Sequence, residues 1–175
     1  MMHEMLPQLG RFNALAPEAA REELLKCCGA KRWADAVEQG RPYLSLWHLI
    51  AQANDVWRSL DRDDWLEAFR SHPKIGERKA ANPVATKSQE WSAKEQQGIA
   101  NAPSEEVDKL ARLNRAYEEK FGFIFIVCAT GKSSGEILAL LEQRLNNAPE
   151  AELPIAAAEQ ARITELRLRK LLELS

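Results

Sequence analysis

The sequence predicts an all-α fold: a single-domain helical bundle over 1–175 with one short extended segment near 123–129. Three observations predict it. Apolar residues recur at helical spacing through nearly every stretch. Prolines and glycines stand where helices would begin and stop. One run, Phe123-Ile124-Phe125-Ile126-Val127-Cys128, is β-branched and aromatic, and no second run of that kind exists to pair with it.

The elements follow in order. Pro17 suits a first helical position, Glu18, Glu22 and Glu23 favour the early turns, and Gly29 is the expected stop. A short helix over 31–39 is ended by Gly40 and Pro42. The next covers 45–59, with Leu46, Trp47, Ile50 and Trp57 on one face. Asp61 reads as the N-cap of a helix through Ser71, with Asp63 and Asp64 in its first turn and Trp65, Ala68 and Phe69 as its buried stripe. His72-Pro73 closes it, because proline drives the preceding residue out of the helical region. The charged stretch 74–87, with Gly76 and Pro83, reads as a loop with at most a short helical turn. A helix from Ser92 to about Asn101 follows, then one from Pro103 to about Phe121, stopped by Gly122. Ser133 opens a helix to about Asn146, and Pro149 or Pro154 begins a last one that reaches Leu174.

Composition excludes several function classes. At 175 residues, with 45% hydrophobic and 29% charged residues, the chain buries a core without covalent staples. Its formal charge is −2 and its pI near 6.0, so it lacks the basic excess of a nucleic-acid binder. The longest apolar run, 123–129, is seven residues, against the roughly 20 that a spanning helix requires. Cys27, Cys28 and Cys128 are odd in number and two are adjacent, which argues against a disulfide framework and for reducing, cytoplasmic surroundings. No Cys/His cluster has metal-ligand spacing, so no metal site is expected. The first dozen residues, His3 among them, lack a signal-peptide core and read as a mobile terminus.

Three places set polar residues where the core should be. His72 follows Phe69 by three and Trp65 by seven, continuing their apolar face as the helix ends. A helix C-terminus favours the imidazolium and burial the neutral ring, the balance that general acid–base chemistry uses. The plain alternative is a core histidine satisfied by a backbone group. In Ser92-Ala93-Lys94-Glu95-Gln96, Ser-x-x-Glu is a capping box, and a helix N-terminus also suits a small polar ligand. Arg167 stands between Ile163 and Leu171 in an apolar stripe, so it needs a partner: a protein carboxylate such as Glu95, a ligand carboxylate or carbonyl, or solvent reached by snorkelling.

The extended run raises a related problem, since a lone strand leaves backbone groups without ladder partners. Other protein groups, or a small ligand with alternating amide donors and acceptors, would satisfy them. His48 reads as structural, and the tryptophans at 33, 47, 57, 65 and 91 as core or interface. Thr130-Gly131-Lys132-Ser133-Ser134-Gly135 lacks the spacing of a phosphate loop and reads as a helix cap.

Several of these stretches converge on one family. His72-Pro73-Lys74-Ile75-Gly76 resembles the His-Pro-x-Ile-Gly motif of the 2-oxo-4-hydroxy-4-carboxy-5-ureidoimidazoline (OHCU) decarboxylases. Ser92-x-x-Glu95-Gln96-x-Gly98 and Asn114-x-x-Tyr117-x-x-x-Phe121-Gly122-Phe123-x-Phe125-Ile126-Val127-Cys128-Ala129 resemble its next two signatures. Arg144-x-Asn146 and Ile163-x-x-Leu166-Arg167-Leu168 resemble its C-terminal part.

The resemblance implies an all-helical homodimer that follows urate oxidase and hydroxyisourate hydrolase in urate breakdown. It implies conversion of OHCU to (S)-allantoin and carbon dioxide without metal or organic cofactor. His72 takes the place of the catalytic histidine. Pro73, Ser92, Glu95, Gln96, the backbone of Phe125, Ile126, Val127, Cys128 and Ala129, and Arg167 match substrate-binding positions, and Ala93 and Lys94 lie within the second signature. Glu95 is expected to assist catalysis by orienting His72 or accepting a ureide N–H. These residues are expected to gather around a small, water-poor chamber.

Overall fold

The computed structural model describes residues 7–76 and 86–173. His3, the loop positions 77–85 and the helix end at Leu174 lie outside the described residues. Among the described residues there are ten helices and no strand, as an all-α fold requires. In chain order they are α1 (Pro7–Ala14), α2 (Pro17–Cys27), α3 (Lys31–Gln39), α4 (Leu46–Ser59), α5 (Arg62–Arg70), α6 (Thr86–Glu95), α7 (Gln97–Ala100), α8 (Ser104–Phe121), α9 (Ser134–Leu145) and α10 (Pro149–Glu173). The chain forms two compact units, one of residues up to Ala68 together with those from Ala161 on, the other of Phe69–Gln160. The divisions fall inside α5 and α10.

In the first unit, Leu9, Leu24, Trp33, Val37, Leu49 and Leu172 are almost wholly buried. Each such side chain contributes about 1.5–3 kcal/mol by leaving water. The Trp33 indole N–H donates to the Ala53 carbonyl at 3.1 Å, satisfying its polar tip inside the core. Ser45 caps α4, its hydroxyl accepting from the His48 N–H at 3.1 Å. Asp61 caps α5 likewise, accepting from the Asp64 N–H.

Three expectations change here. Trp47 is not on the buried face of α4: that face is Leu46, Leu49, Ile50, Ala53 and Trp57. Trp47 is 66% exposed because one residue past Leu46 is a rotation of about 100°, and the Arg169 guanidinium lies over its ring at 4.8 Å. Trp65 is only half-buried, its indole donating to the Trp57 carbonyl. α2 ends at Cys27 with Cys28 extended, so Gly29 does not serve as its left-handed stop.

Helix α1 was not foreseen, since only Leu9 and Phe12 of its eight residues are buried. Its C-terminal carbonyls are held from outside. Arg41 donates through Nη1 to the carbonyls of Phe12 (2.7 Å), Asn13 (3.3 Å) and Leu15 (2.8 Å). Its Nη2 pairs with Glu38 at 2.9 Å.

In the second unit, Tyr117, Phe121, Phe123 and Phe125 form a ring cluster with centroids 4.5–6.1 Å apart, which Phe69 joins at 5.5 Å from Phe123. Gly122 ends α8 in the left-handed conformation (φ 81°), the turn that sends the chain into the extended segment. Ser133 and Glu136 form the capping box of α9. Ser92 does not cap a helix: α6 begins at Thr86, and Ser92 lies buried in its last turns, its carbonyl accepting from the Gln96 N–H. Ser-x-x-Glu spacing is also the i, i+3 spacing of a helix interior, so the pattern alone could not separate the two. The short α7 packs so closely that a Cβ on Gly98 would fall 2.1 Å from the Lys132 carbonyl oxygen.

Candidate functional site

The second unit brings most of the sequence-predicted site residues into one body. His72 lies two residues past the end of α5, its N–H donating to the Phe69 carbonyl at 3.1 Å, and its side chain is buried. Pro73 is buried beside it. The backbone then turns through Ile75 and Gly76 and is held at two points. The Ile75 carbonyl accepts from the Asn114 side chain at 3.1 Å, and the Gly76 N–H donates to the Gln96 side chain at 2.9 Å. The second bond joins the His-Pro-x-Ile-Gly stretch to the end of α6. There Ser92 and Glu95 are buried, Gln96 is half-buried, and Ala93 and Lys94 face solvent.

The extended segment lies in the same unit. Phe125, Ile126, Val127, Cys128 and Ala129 are all buried. Side chains stand in for part of the missing ladder. The Ile126 carbonyl accepts from Arg144 Nη1 at 2.6 Å, the Cys128 N–H donates to Glu159 at 3.2 Å, and the Cys128 carbonyl accepts from Lys132 Nζ at 2.7 Å. The peptide groups of Phe125 and Val127 make no hydrogen bond to the described residues. The segment is thus fixed through Ile126 and Cys128, two residues apart.

Its anchor is a buried ion pair. Arg144 meets Glu152 through Nε (2.6 Å) and Nη2 (2.5 Å), while Tyr117 and Asn147 donate to the same carboxylate at 2.5 and 2.9 Å. The guanidinium lies 4.6 Å from the Phe125 ring centroid. Burial first, and then the Glu152 carboxylate, push the Tyr117 phenol far above its ordinary range, so it stays a donor. Glu152, with no solvent exposure, has Arg144, Tyr117 and Asn147 donating to it, as a fully buried carboxylate requires.

Electrostatics relate Glu95 to this segment. Burial raises the pKa of the Cys128 thiol, Lys132 opposes that, and Glu159 and Glu95 add to it. Cys128 therefore stays a neutral thiol and its backbone does the hydrogen bonding. Among the described residues no three His, Cys, Asp or Glu side chains gather as metal ligands would. A cavity of about 180 Å³ opens beside Lys74, Ile75 and Asn114, but His72, Glu95 and the extended segment do not line it.

Sequence reasoning missed Gln160 and Glu159 on α10. Gln160 is fully buried and its Oε1 lies 2.6 Å from His72 Nε2. The signal was present: Gln160 falls three residues after Ala157 and three before Ile163, the reasoning that singled out Arg167. Arg167 itself belongs to the first unit. There it is 2% exposed, which excludes snorkelling. It donates to the Lys26 carbonyl at 3.2 Å and acts electrostatically on the Cys27 and Cys28 thiols.

Comparison with known proteins agrees with the motif reading. The pattern of the OHCU decarboxylase family matches residues 13–169. The chain is 37% identical over 158 residues to the uric acid degradation bifunctional protein TTL of Arabidopsis thaliana, covering 90% of this chain but 48% of that protein, about half its length. It is 31% identical over 140 residues to the 2-oxo-4-hydroxy-4-carboxy-5-ureidoimidazoline decarboxylase of Amia calva, covering 80% of this chain and 79% of that one. A crystal structure of OHCU decarboxylase in the presence of (S)-allantoin superposes with a TM-score of 0.75 at 36% identity, covering 87% of this chain and 98% of that one. With its family pattern spanning nearly the whole sequence and an all-helical fold that superposes on a member, this chain belongs to the OHCU decarboxylase family.

Proposed function

We propose that this chain decarboxylates OHCU to (S)-allantoin and carbon dioxide in urate degradation, as one cofactor-independent catalytic domain over 1–175. Family membership supports the reaction, and the single family match from 13 to 169 supports one domain. One observation carries the site assignment. A buried histidine shares a compact unit with an extended segment whose Phe125 and Val127 peptide groups have no partner among the described residues.

The chemistry follows from the substrate. Loss of carbon dioxide leaves an electron pair, and the ring C=N beside the carbon bearing carboxylate and hydroxyl receives it. The ring nitrogen takes up a proton as the pair arrives, and the enol-like product must then lose its hydroxyl proton and gain one on the neighbouring carbon, on one face. His72 is the general acid and base of that transfer. Glu95 orients His72 or accepts a ureide N–H. Gln96, Ser92, Pro73 and the Phe125–Ala129 backbone read the ring's donors and acceptors, with Ala93 and Lys94 in the supporting turn. Arg167, seven residues after Gln160 in α10, holds the substrate's carboxylate or a carbonyl. Gripping the carboxylate equally in ground and transition state would lower KM without raising kcat.

A homodimer in the cytoplasm completes the reading. Three buried free cysteines suit a reducing compartment, and the exposed Leu44 and Trp47 offer apolar surface of the kind subunit contacts use.

The test generates OHCU in situ from urate and follows the handedness of the allantoin formed by circular dichroism. The wild-type chain should speed the appearance of the S enantiomer, and His72→Ala should lower kcat by about a hundredfold or more. Racemic product at the spontaneous rate with wild type would overturn the proposal.

A further inference from the structure

The His72 ring is held from an unexpected quarter. Gln160 has no solvent exposure, and its side-chain oxygen lies 2.6 Å from His72 Nε2. An amide oxygen only accepts, so the ring nitrogen facing it must carry the proton. A neutral imidazole with its proton on Nε2 has its lone pair on Nδ1. Burying a glutamine costs free energy that only satisfied hydrogen bonds recover. An apolar residue would fill this position in a helix face that already holds Ala156, Ala157 and Ile163.

We propose that Gln160 is a positioning residue that holds His72 as its Nε2–H tautomer, which makes Nδ1 the ring's basic nitrogen. This rests on the decarboxylase reading for its catalytic consequence, but the tautomer itself does not. An uncharged acceptor fixes ring orientation without the stabilisation of the imidazolium that a carboxylate at this distance would add. The ring can then both take up and release its proton within one turnover, as removal of a hydroxyl proton and delivery of one to carbon demand.

The experiment is long-range ¹H–¹⁵N correlation on the full chain labelled at histidine, with the His72 signal assigned by its loss in His72→Asn. Wild type should show a protonated Nε2 and an unprotonated Nδ1. Gln160→Met, close in length and checked for native helicity, should populate the other tautomer. It should also lower kcat by roughly tenfold to a hundredfold with KM within about twofold, as loss of an acid–base geometry does. Gln160→Glu, which keeps the acceptor, should restore the Nε2–H form and part of kcat. A wild-type ring protonated on Nδ1, or an unchanged kcat in Gln160→Met, would overturn the proposal. Tautomer control observed in a chain inactive toward OHCU would instead overturn the reaction and leave the role of Gln160 in place.

Discussion

Each unit contains an arginine over an aromatic ring that pairs with a glutamate and holds backbone carbonyls, half-buried in the first unit and buried in the second. In the first unit Arg41 lies 5.5 Å from the Phe12 centroid, pairs with Glu38 and closes the end of α1 through three carbonyls. In the second, Arg144 lies 4.6 Å from the Phe125 centroid, pairs twice with Glu152 and holds one carbonyl, that of Ile126. Arg41 uses its donors on helix-end carbonyls, and Glu38 has a second cation, Arg21, at 3.8 Å. That cluster is a fastening for the fold. Arg144 fixes a single residue of a segment in no helix, and Glu152 is sealed from solvent. The same device closes a helix end in one place, and in the other it holds a segment whose Phe125 and Val127 peptide groups make no hydrogen bond to the described residues.

The largest expected effect comes from breaking the second cluster. Glu152→Leu strands a buried guanidinium and should cost about 3–5 kcal/mol in urea or guanidinium unfolding. Replacing both partners, Arg144→Met with Glu152→Leu, should recover much of that stability. It should not recover kcat/KM, because the Ile126 carbonyl loses its anchor. Full recovery of activity in the double variant would show that the cluster only stabilises the fold.

Arg41→Met sharpens the contrast. Losing charge-assisted bonds to three carbonyls should cost about 2–3 kcal/mol, while kcat at a temperature below the lowered Tm stays at the wild-type value. A fall in kcat matching that of the Arg144 variant would erase the distinction between the two regions.

A smaller effect is expected in alkali. Burial pushes the Tyr43 phenol from 10.0 up to about 12 and the Cys28 thiol from 9.0 up to about 12. Cys27 and Tyr117 are raised further, both chiefly by burial. A group whose folded pKa is raised favours the folded state fully below its unfolded value and loses that contribution as pH rises toward the folded one. Stability from these groups should therefore hold up to about pH 9 and fall progressively toward pH 12. Tyr117→Phe and Tyr43→Phe should each flatten that fall to a similar extent, because both phenols start from 10.0 and stay protonated in the folded chain up to about pH 11, a comparison read from denaturant midpoints at pH 8, 10 and 11.

Much of this was legible because local signals carried it. Gly122, Ser133 with Glu136, Ser45, Asp61 and Pro17 each mark a helix boundary through chemistry contained within a few residues. The motif order also sufficed to name the family and to set His72, Glu95, Gln96 and the segment 125–129 apart. What escaped was decided by distance. Arg144 finds Glu152 across a turn between helices, Arg41 reaches back 29 residues to Phe12, and Gln160 meets His72 from 88 residues away. No periodicity within one helix reports such partners. Trp47 escaped for a different reason, since a tryptophan at the edge of an apolar stripe reads as core until the helix phase is fixed.

The most direct test is an amide-shift titration of the ¹⁵N-labelled chain with (S)-allantoin, the product whose amide edges the extended segment should read. Binding through the second unit predicts the largest shifts at Phe125, Val127 and Gln96, with the residues around Arg41 and Phe12 unmoved. Saturable shifts confined to other surfaces, with the amides of 125–129 unchanged, would contradict it.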